Sequence, residues 1–295
     1  MDLLRIFLTL LCLVFSLQSH SSQPSNPGIA FIHGTNDHRQ DAEGGYWKTS
    51  FIILMSQALP NIDNYKVLAC DFSQNLWHEE AAGCVADQLI AFVNEKKIDK
   101  LVVYTHSHGA NIIRWILSNP VYDSRYKKLG KVISQVIALA PSSAGTPLAD
   151  EVMAGNIFEA SLGWLLGYRN DSVRQQRVGD MAIYNEELLY GTVGRPNLHV
   201  PFRAVAGSDV TASPITSASY CNGYLRNVGL KITKLYLDDC SDGFLNCSSQ
   251  AAAGKLWFYD TQKTIDNIPL SHNQSRHNCF GFEKVLVSDL AQQGA

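Results

Sequence analysis

Short apolar runs bounded by turn residues recur along the chain. Ile29-Ala30-Phe31-Ile32 lies between Gly28 and Gly34, and the pattern returns in Lys66-Val67-Leu68-Ala69-Cys70, in Leu101-Val102-Val103-Tyr104, and from Val132 to Ala140 ahead of Pro141. Runs of this length without polar alternation predict strands buried on both faces. Between them the spacing turns helical. From 79 to 97, Ala81, Ala82, Val85, Ala86, Leu89, Phe92 and Val93 share one side of a helix, and Ala110 to Leu117 repeats the pattern. Buried strands alternating with amphipathic helices predict an open α/β sheet, mostly parallel, with helices on both faces. Pro201 to Gly207 reads as a further parallel strand and 280–292 as a C-terminal helix.

Two segments break this rhythm. Arg5 precedes an apolar run from Ile6 to Leu17, interrupted by Thr9 and Ser16 and followed by polar Gln18 to Ser22. The run is shorter than the roughly 18 to 20 apolar residues that cross a bilayer, so residues 1–21 read as a secretory signal, despite the atypical Asp2. Residues 22–295 then form a single domain, exported to the periplasm or the medium. The second segment, about 145–170, is strongly apolar among glycines: Met153, Ile157, Phe158, Leu162, Trp164, Leu165 and Leu166 lie near Gly155, Gly163 and Gly167. It reads as an ordinary core helix or as a helical lid. The glycines favour the lid, with Phe158, Leu162, Trp164 and Leu165 as candidate substrate contacts.

Charge narrows the choice of partner. With 24 Lys+Arg against 27 Asp+Glu in 295 residues, the chain lacks the basic excess that nucleic acid would require. No repeat or heptad appears, and the 10% aromatic content argues against disorder. Loss of the signal removes Cys12 and leaves Cys70, Cys84, Cys221, Cys240, Cys247 and Cys279. An even number in an exported chain points to disulfides rather than buried thiols. Cys70 with Cys84 is the best local pair, and the absence of C-x-x-C spacing argues against zinc.

The most specific chemical signal is Thr105-His106-Ser107-His108-Gly109, set between a buried strand and a helix. This is the context of a nucleophile elbow, a turn tight enough to hold a serine hydroxyl above the strand end. Gly109 fits that turn; Thr105 stands where a glycine is usual. His33-Gly34-Thr35 ends the first strand. Beyond its reading as a plain turn, it offers the Thr35 amide, with that of His108, as an oxyanion hole. His106 and His108 flank the serine but point away from its hydroxyl, which makes them packing or rim residues. Downstream, Cys240-Ser241-Asp242-Gly243 and Leu270-Ser271-His272-Asn273 supply an acid and a base in the chain order serine, acid, histidine. Asp209, just after a predicted strand, is a rival acid, and His277 competes with His272.

Together these blocks resemble the secreted lipases of the α/β-hydrolase superfamily, particularly the bacterial triacylglycerol lipase group. The shared features are HGT at 33, the S-H-G elbow at 107, APSSAGTPLAD at 140–150, SDGFLNCSS at 241–249 and LSH ending at 272. The resemblance implies an α/β-hydrolase fold, Ser107 as nucleophile, Asp242 as acid and His272 as base. It also implies a lipid or other ester substrate met at a membrane or micelle surface. Asn273, Gln274 and Ser275 stand where that family carries a calcium carboxylate, so neither metal nor cofactor is expected; the sequence identifies no secretion foldase. Phospholipase A, acyltransferase and a catalytically silent binding fold remain the alternatives. The N-x-S sequences at Asn170, Asn246 and Asn273 read as chance matches or a sign of a bacterial source, because glycans at the last two would crowd the site.

Overall fold

The computed structural model describes residues 25–155 and 169–293. The signal read at 1–21 and the lid candidates Phe158, Leu162, Trp164 and Leu165 lie outside the described residues. Eight strands are present among the described residues: β1 (Pro27–Ile32), β2 (Asn36–Asp37), β3 (Tyr65–Val67), β4 (Asp71–Phe72), β5 (Lys100–His106), β6 (Ile133–Leu139), β7 (Phe202–Ala206) and β8 (Lys255–Tyr259). Six of them form one sheet in the order β3-β1-β5-β6-β7-β8, with every neighbouring pair parallel. Strands β2 and β4 pair as a short antiparallel ribbon beside it.

Both sheet faces are covered, and this explains the unbroken apolar runs. Successive side chains alternate faces along a strand. Ala30, Ile32, Leu101, Val103, Val136 and Ala138 therefore meet helices Cys84–Lys96 and Gly109–Ser118. Ile29, Phe31, Val102, Tyr104, Ile137 and Leu139 meet helices Thr49–Ser56 and Phe282–Gln292 on the other side. Phe31 is fully buried, with ring centroids of Trp47, Tyr104 and Phe51 at 5.2, 5.7 and 6.1 Å. Burying one such side chain contributes about 1.5–3 kcal/mol.

The expected elements hold with local differences. The strand read at 66–70 leaves the ladder after Val67, and Cys70 is joined to Cys84. The helix read at 79–97 opens with a π-helical turn, Glu79–Gly83, and ends at Lys97 with φ 54°. Strand β8 was not expected: Leu256-Trp257-Phe258-Tyr259 is an apolar run, but at this sheet edge only Phe258 is fully buried. The described start of the lid segment is a core element. Helix Pro147–Ala154, capped by Thr146, buries Leu148, Ala149 and Val152 against Val173, Val210, Leu230, Phe244 and Leu245. Disulfides join Cys70–Cys84, Cys221–Cys279 and Cys240–Cys247. Among the described residues no helix is long and apolar enough to cross a membrane.

Candidate active site

The strand order reverses between β1 and β5, because the chain adds β3 on one side of β1 and β5 to β8 on the other. Clefts in open α/β sheets form at the carboxyl ends of strands at such a reversal. Ser107 follows β5 there, and His33-Gly34-Thr35 follows β1. Ser107 has φ 53°, a left-handed conformation unusual for a side-chain-bearing residue. Its N–H donates to Leu139 O at 3.0 Å, and helix Gly109–Ser118 begins beneath it. Position 109 has to be glycine, since a Cβ would sit 2.1 Å from His33 O and 2.8 Å from Thr105 Oγ1. The space left by Gly109 thus accommodates the unusual threonine at 105.

The turn His272–Arg276 carries the histidine and is anchored by a capping box between Ser271 and Gln274. His272 Nε2 lies 3.1 Å from Ser107 Oγ, and Nδ1 lies 2.8 Å from Asp242 Oδ2. The other Asp242 oxygen, Oδ1, accepts the N–H groups of Phe244 and Leu245 at 2.8 and 2.7 Å. That arrangement aims Oδ2 at the imidazole. It selects the tautomer with hydrogen on Nδ1, leaving the Nε2 lone pair for the serine hydroxyl. Phe244 stacks on the His272 ring at 4.5 Å. Among the described residues no acceptor meets the N–H of Thr35 or of His108.

The other candidates lie elsewhere. Asp209 pairs with Lys231 Nζ at 3.1 Å and Lys234 Nζ at 2.7 Å, on a half-exposed surface rather than at His272. His277 is buried without bonding the serine, and burial pushes its pKa down to about 2. His108 is also fully buried and lowered to about 4 by desolvation. His106 and His108 are both buried packing residues, and His106 also lines the cleft. His106 Nε2–H donates to His272 O at 2.9 Å, while the Tyr46 hydroxyl donates to its Nδ1. Burial and the neighbouring His272 hold His106 neutral, well below the usual histidine range. Asn273 is nearly buried, and its Oδ1 accepts from Arg276 Nη2 at 2.9 Å, leaving its side chain committed within the turn.

Solved structures share this sheet. The mature lipase BlEst2 of Bacillus licheniformis is 17% identical and matches over 92% of this chain and 94% of its own, with a TM-score of 0.59. In its propeptide form the same lipase is 16% identical over 92% of this chain and 52% of that one, about half its length, with a TM-score of 0.58. The chain has the α/β-hydrolase fold. The metagenomic carboxyl esterase MGS0156 matches it at 13% identity over 92% of this chain and 77% of that one, with a TM-score of 0.57. No family profile matches, and no curated protein matches in sequence.

Several residues that shape the site in this α/β-hydrolase fold were not singled out from sequence. Tyr46 OH accepts the Gly34 N–H at 2.8 Å and thereby ties the β1 turn to His106. Asp260, at the end of the unforeseen β8, accepts the N–H groups of Ser208 and Leu270 at 2.7 Å each and so holds the base of the His272 loop. Gly207 permits that approach, because a Cβ there would lie 2.2 Å from Leu270 O. An acid directly after an aromatic-rich strand was the available signal for Asp260; nothing local marked Tyr46. The cleft above the serine has a volume of about 190 Å³, and Thr35, Phe244 and His272 line it.

Proposed function

We propose that the protein is an exported serine hydrolase that cleaves carboxyl esters of lipids through an acyl-enzyme on Ser107. The observation that carries this reading is the unbroken line Ser107 Oγ, His272, Asp242, with separations of 3.1 and 2.8 Å, at the carboxyl end of a parallel sheet. His272 Nε2 takes the hydroxyl proton as Ser107 attacks the ester carbonyl. Asp242 holds the imidazole in the required tautomer and stabilises its charged form. The N–H groups of Thr35 and His108 face the developing oxyanion, each worth about 3 to 4 kcal/mol of barrier in comparable sites. His272 then returns the proton to the leaving alcohol, and water releases the acyl group by the same route. Export is supported by the apolar run at 6–17 and by the three disulfides.

The test is hydrolysis of a p-nitrophenyl ester series by the mature protein and by Ser107→Ala, with and without detergent micelles. Activity that is lost in the variant and rises with chain length at an interface is expected. A folded protein that neither hydrolyses any ester nor reacts with a fluorophosphonate would instead favour a silent binding fold.

A further inference from the structure

Three cationic side chains line the cleft that holds Ser107 and His272: Lys48, ahead of helix Thr49–Ser56; Arg226, in helix Tyr224–Thr233; and Arg276, at the end of the His272 turn. Most arginines on the rest of the surface, among them Arg39, Arg125, Arg177 and Arg203, pair with carboxylates. These three differ. Among the described residues Lys48 Nζ reaches only Gly44 O at 3.3 Å, and Arg226 Nη1 only Asn222 Oδ1 at 3.4 Å. Arg276 bonds Tyr46 O and Asn273 Oδ1, with its guanidinium carbon 4.0 Å from the Tyr46 ring centroid. Arg276 is 5% exposed, and among the described residues its Nε has no hydrogen-bond partner. The carboxylate lining the cleft, Asp41, is engaged by His38 Nδ1 at 2.7 Å.

Three like charges gathered at one half-dry cleft repel one another; burial above all, and Arg226 after it, disfavours the charged form of Arg276, while Asp41 acts in the opposite sense. An anion placed among them relieves that repulsion and satisfies guanidinium donors suited to paired oxygens. A neutral glycerol ester offers no such compensation and would cover the cations without pairing them.

We propose that Lys48, Arg226 and Arg276 form a phosphate subsite beside Ser107, so that the preferred substrate is an acyl ester carrying a phosphate, a phospholipid or lysophospholipid, rather than a neutral acylglycerol. This inference rests on the serine-hydrolase reading of the same cleft. Ester cleavage itself is unchanged: water adds across the acyl–oxygen bond, and the phosphate only orients the leaving alcohol.

The experiment compares kcat/KM for a monoacylglycerol phosphate with that for the monoacylglycerol of the same chain, both in neutral detergent micelles. The wild type is expected to prefer the phosphate ester at least tenfold. In Arg226→Gln and in Lys48→Gln/Arg226→Gln that ratio falls about tenfold or more, whereas Arg226→Lys, which keeps the charge, retains most of it. Thermal melts establish that each variant is folded. Inorganic phosphate in the neutral-ester assay separates the two sources of anion. Inhibition weakened by Arg226→Gln assigns the subsite to free phosphate as well, and loss of preference without inhibition assigns it to the tethered headgroup. A wild type that cleaves both esters equally and ignores phosphate overturns the subsite while leaving the hydrolase reading intact. A wild type that cleaves neither ester, nor any p-nitrophenyl ester, overturns the hydrolase reading itself.

Discussion

Asp242 divides its two oxygens between two tasks, and the division makes a sharp prediction. Oδ1 is saturated by two backbone N–H groups, which only a carbonyl-type oxygen can accept. In Asp242→Asn the side-chain carbonyl keeps that place, so the amide NH2 must face His272 Nδ1. That reverses the tautomer and puts hydrogen on Nε2, where the serine proton has to go. Expected is a fall in kcat of about 10³–10⁴ with little change in melting temperature. A large loss of stability with near-normal kcat would contradict the assignment. The sequence ranked Asp242 above Asp209 only through the resemblance at 241–249, since position after a predicted strand alone favours Asp209. The geometry favours the same choice, with Asp242 at His272 and Asp209 occupied by Lys231 and Lys234, contacts that no local pattern reveals. The tight turn at Ser107 was legible because strand, turn and helix adjoin it in the chain.

At the level of elements, four of the five anticipated strands lie in the sheet close to where apolar runs placed them, and the fifth, read at 66–70, shortens to Tyr65–Val67. These runs were legible because two covered faces remove polar alternation. Strand β8 was overlooked although Leu256 to Tyr259 is apolar; at an edge only one face is packed, and Leu256 is left 42% exposed. The contact joining the β1 turn to the base was equally hidden, because Tyr46 and His106 are 60 positions apart. Gly34 N–H, Tyr46 OH, His106 and the His272 carbonyl form one chain of hydrogen bonds across three elements. Tyr46→Phe deletes its centre and leaves the Gly34 N–H and His106 Nδ1 unpaired. The expected cost is about 1–3 kcal/mol of stability for each buried group left unsatisfied, together with a lower kcat from a loosened His272. Urea denaturation and steady-state kinetics on the same preparation check both.

For the whole molecule, buried neutral histidines set the acid limit. Burial lowers His33 to about 3, His108 to about 4 and His277 to about 2, and places His106 well below the ordinary value of 6.5. Above pH of about 6.5 neither folded nor unfolded chain protonates these rings. Below it the unfolded chain takes up protons that the native chain refuses, so stability falls as pH drops from about 6.5 toward about 4. Each such proton corresponds to about 1.4 kcal/mol per pH unit. Unfolding near pH 5 should therefore absorb at least two protons, read from the slope of urea-derived stability against pH. A flat profile through that window would mean that these rings protonate in the native state. The carboxylates held low by ion pairs, such as Asp37 and Asp123, add their loss only at more acidic pH.

Two covalent clasps bracket the proposed machinery. Cys240–Cys247, separated by 7 positions, closes the ring that contains Asp242, and Cys221–Cys279, separated by 58, fastens the His272 segment to the start of the Arg226 helix. By loop-closure entropy the long clasp is worth about 4 kcal/mol and the short one about 2 kcal/mol. The short ring can close early from local encounters; the long one has to await the docked sheet. A newly synthesised chain kept reduced should thus hold its elbow without a registered acid and base, inert toward the membranes of the cell that makes it. Refolding in excess thiol should give native-like far-ultraviolet dichroism and no esterase activity, with activity appearing on oxidation. Full activity in the reduced state would refute this. The same bonds that strengthen the fold would then, under the export proposed above, act as a maturation timer, arming the proposed hydrolase only after it has left its place of synthesis.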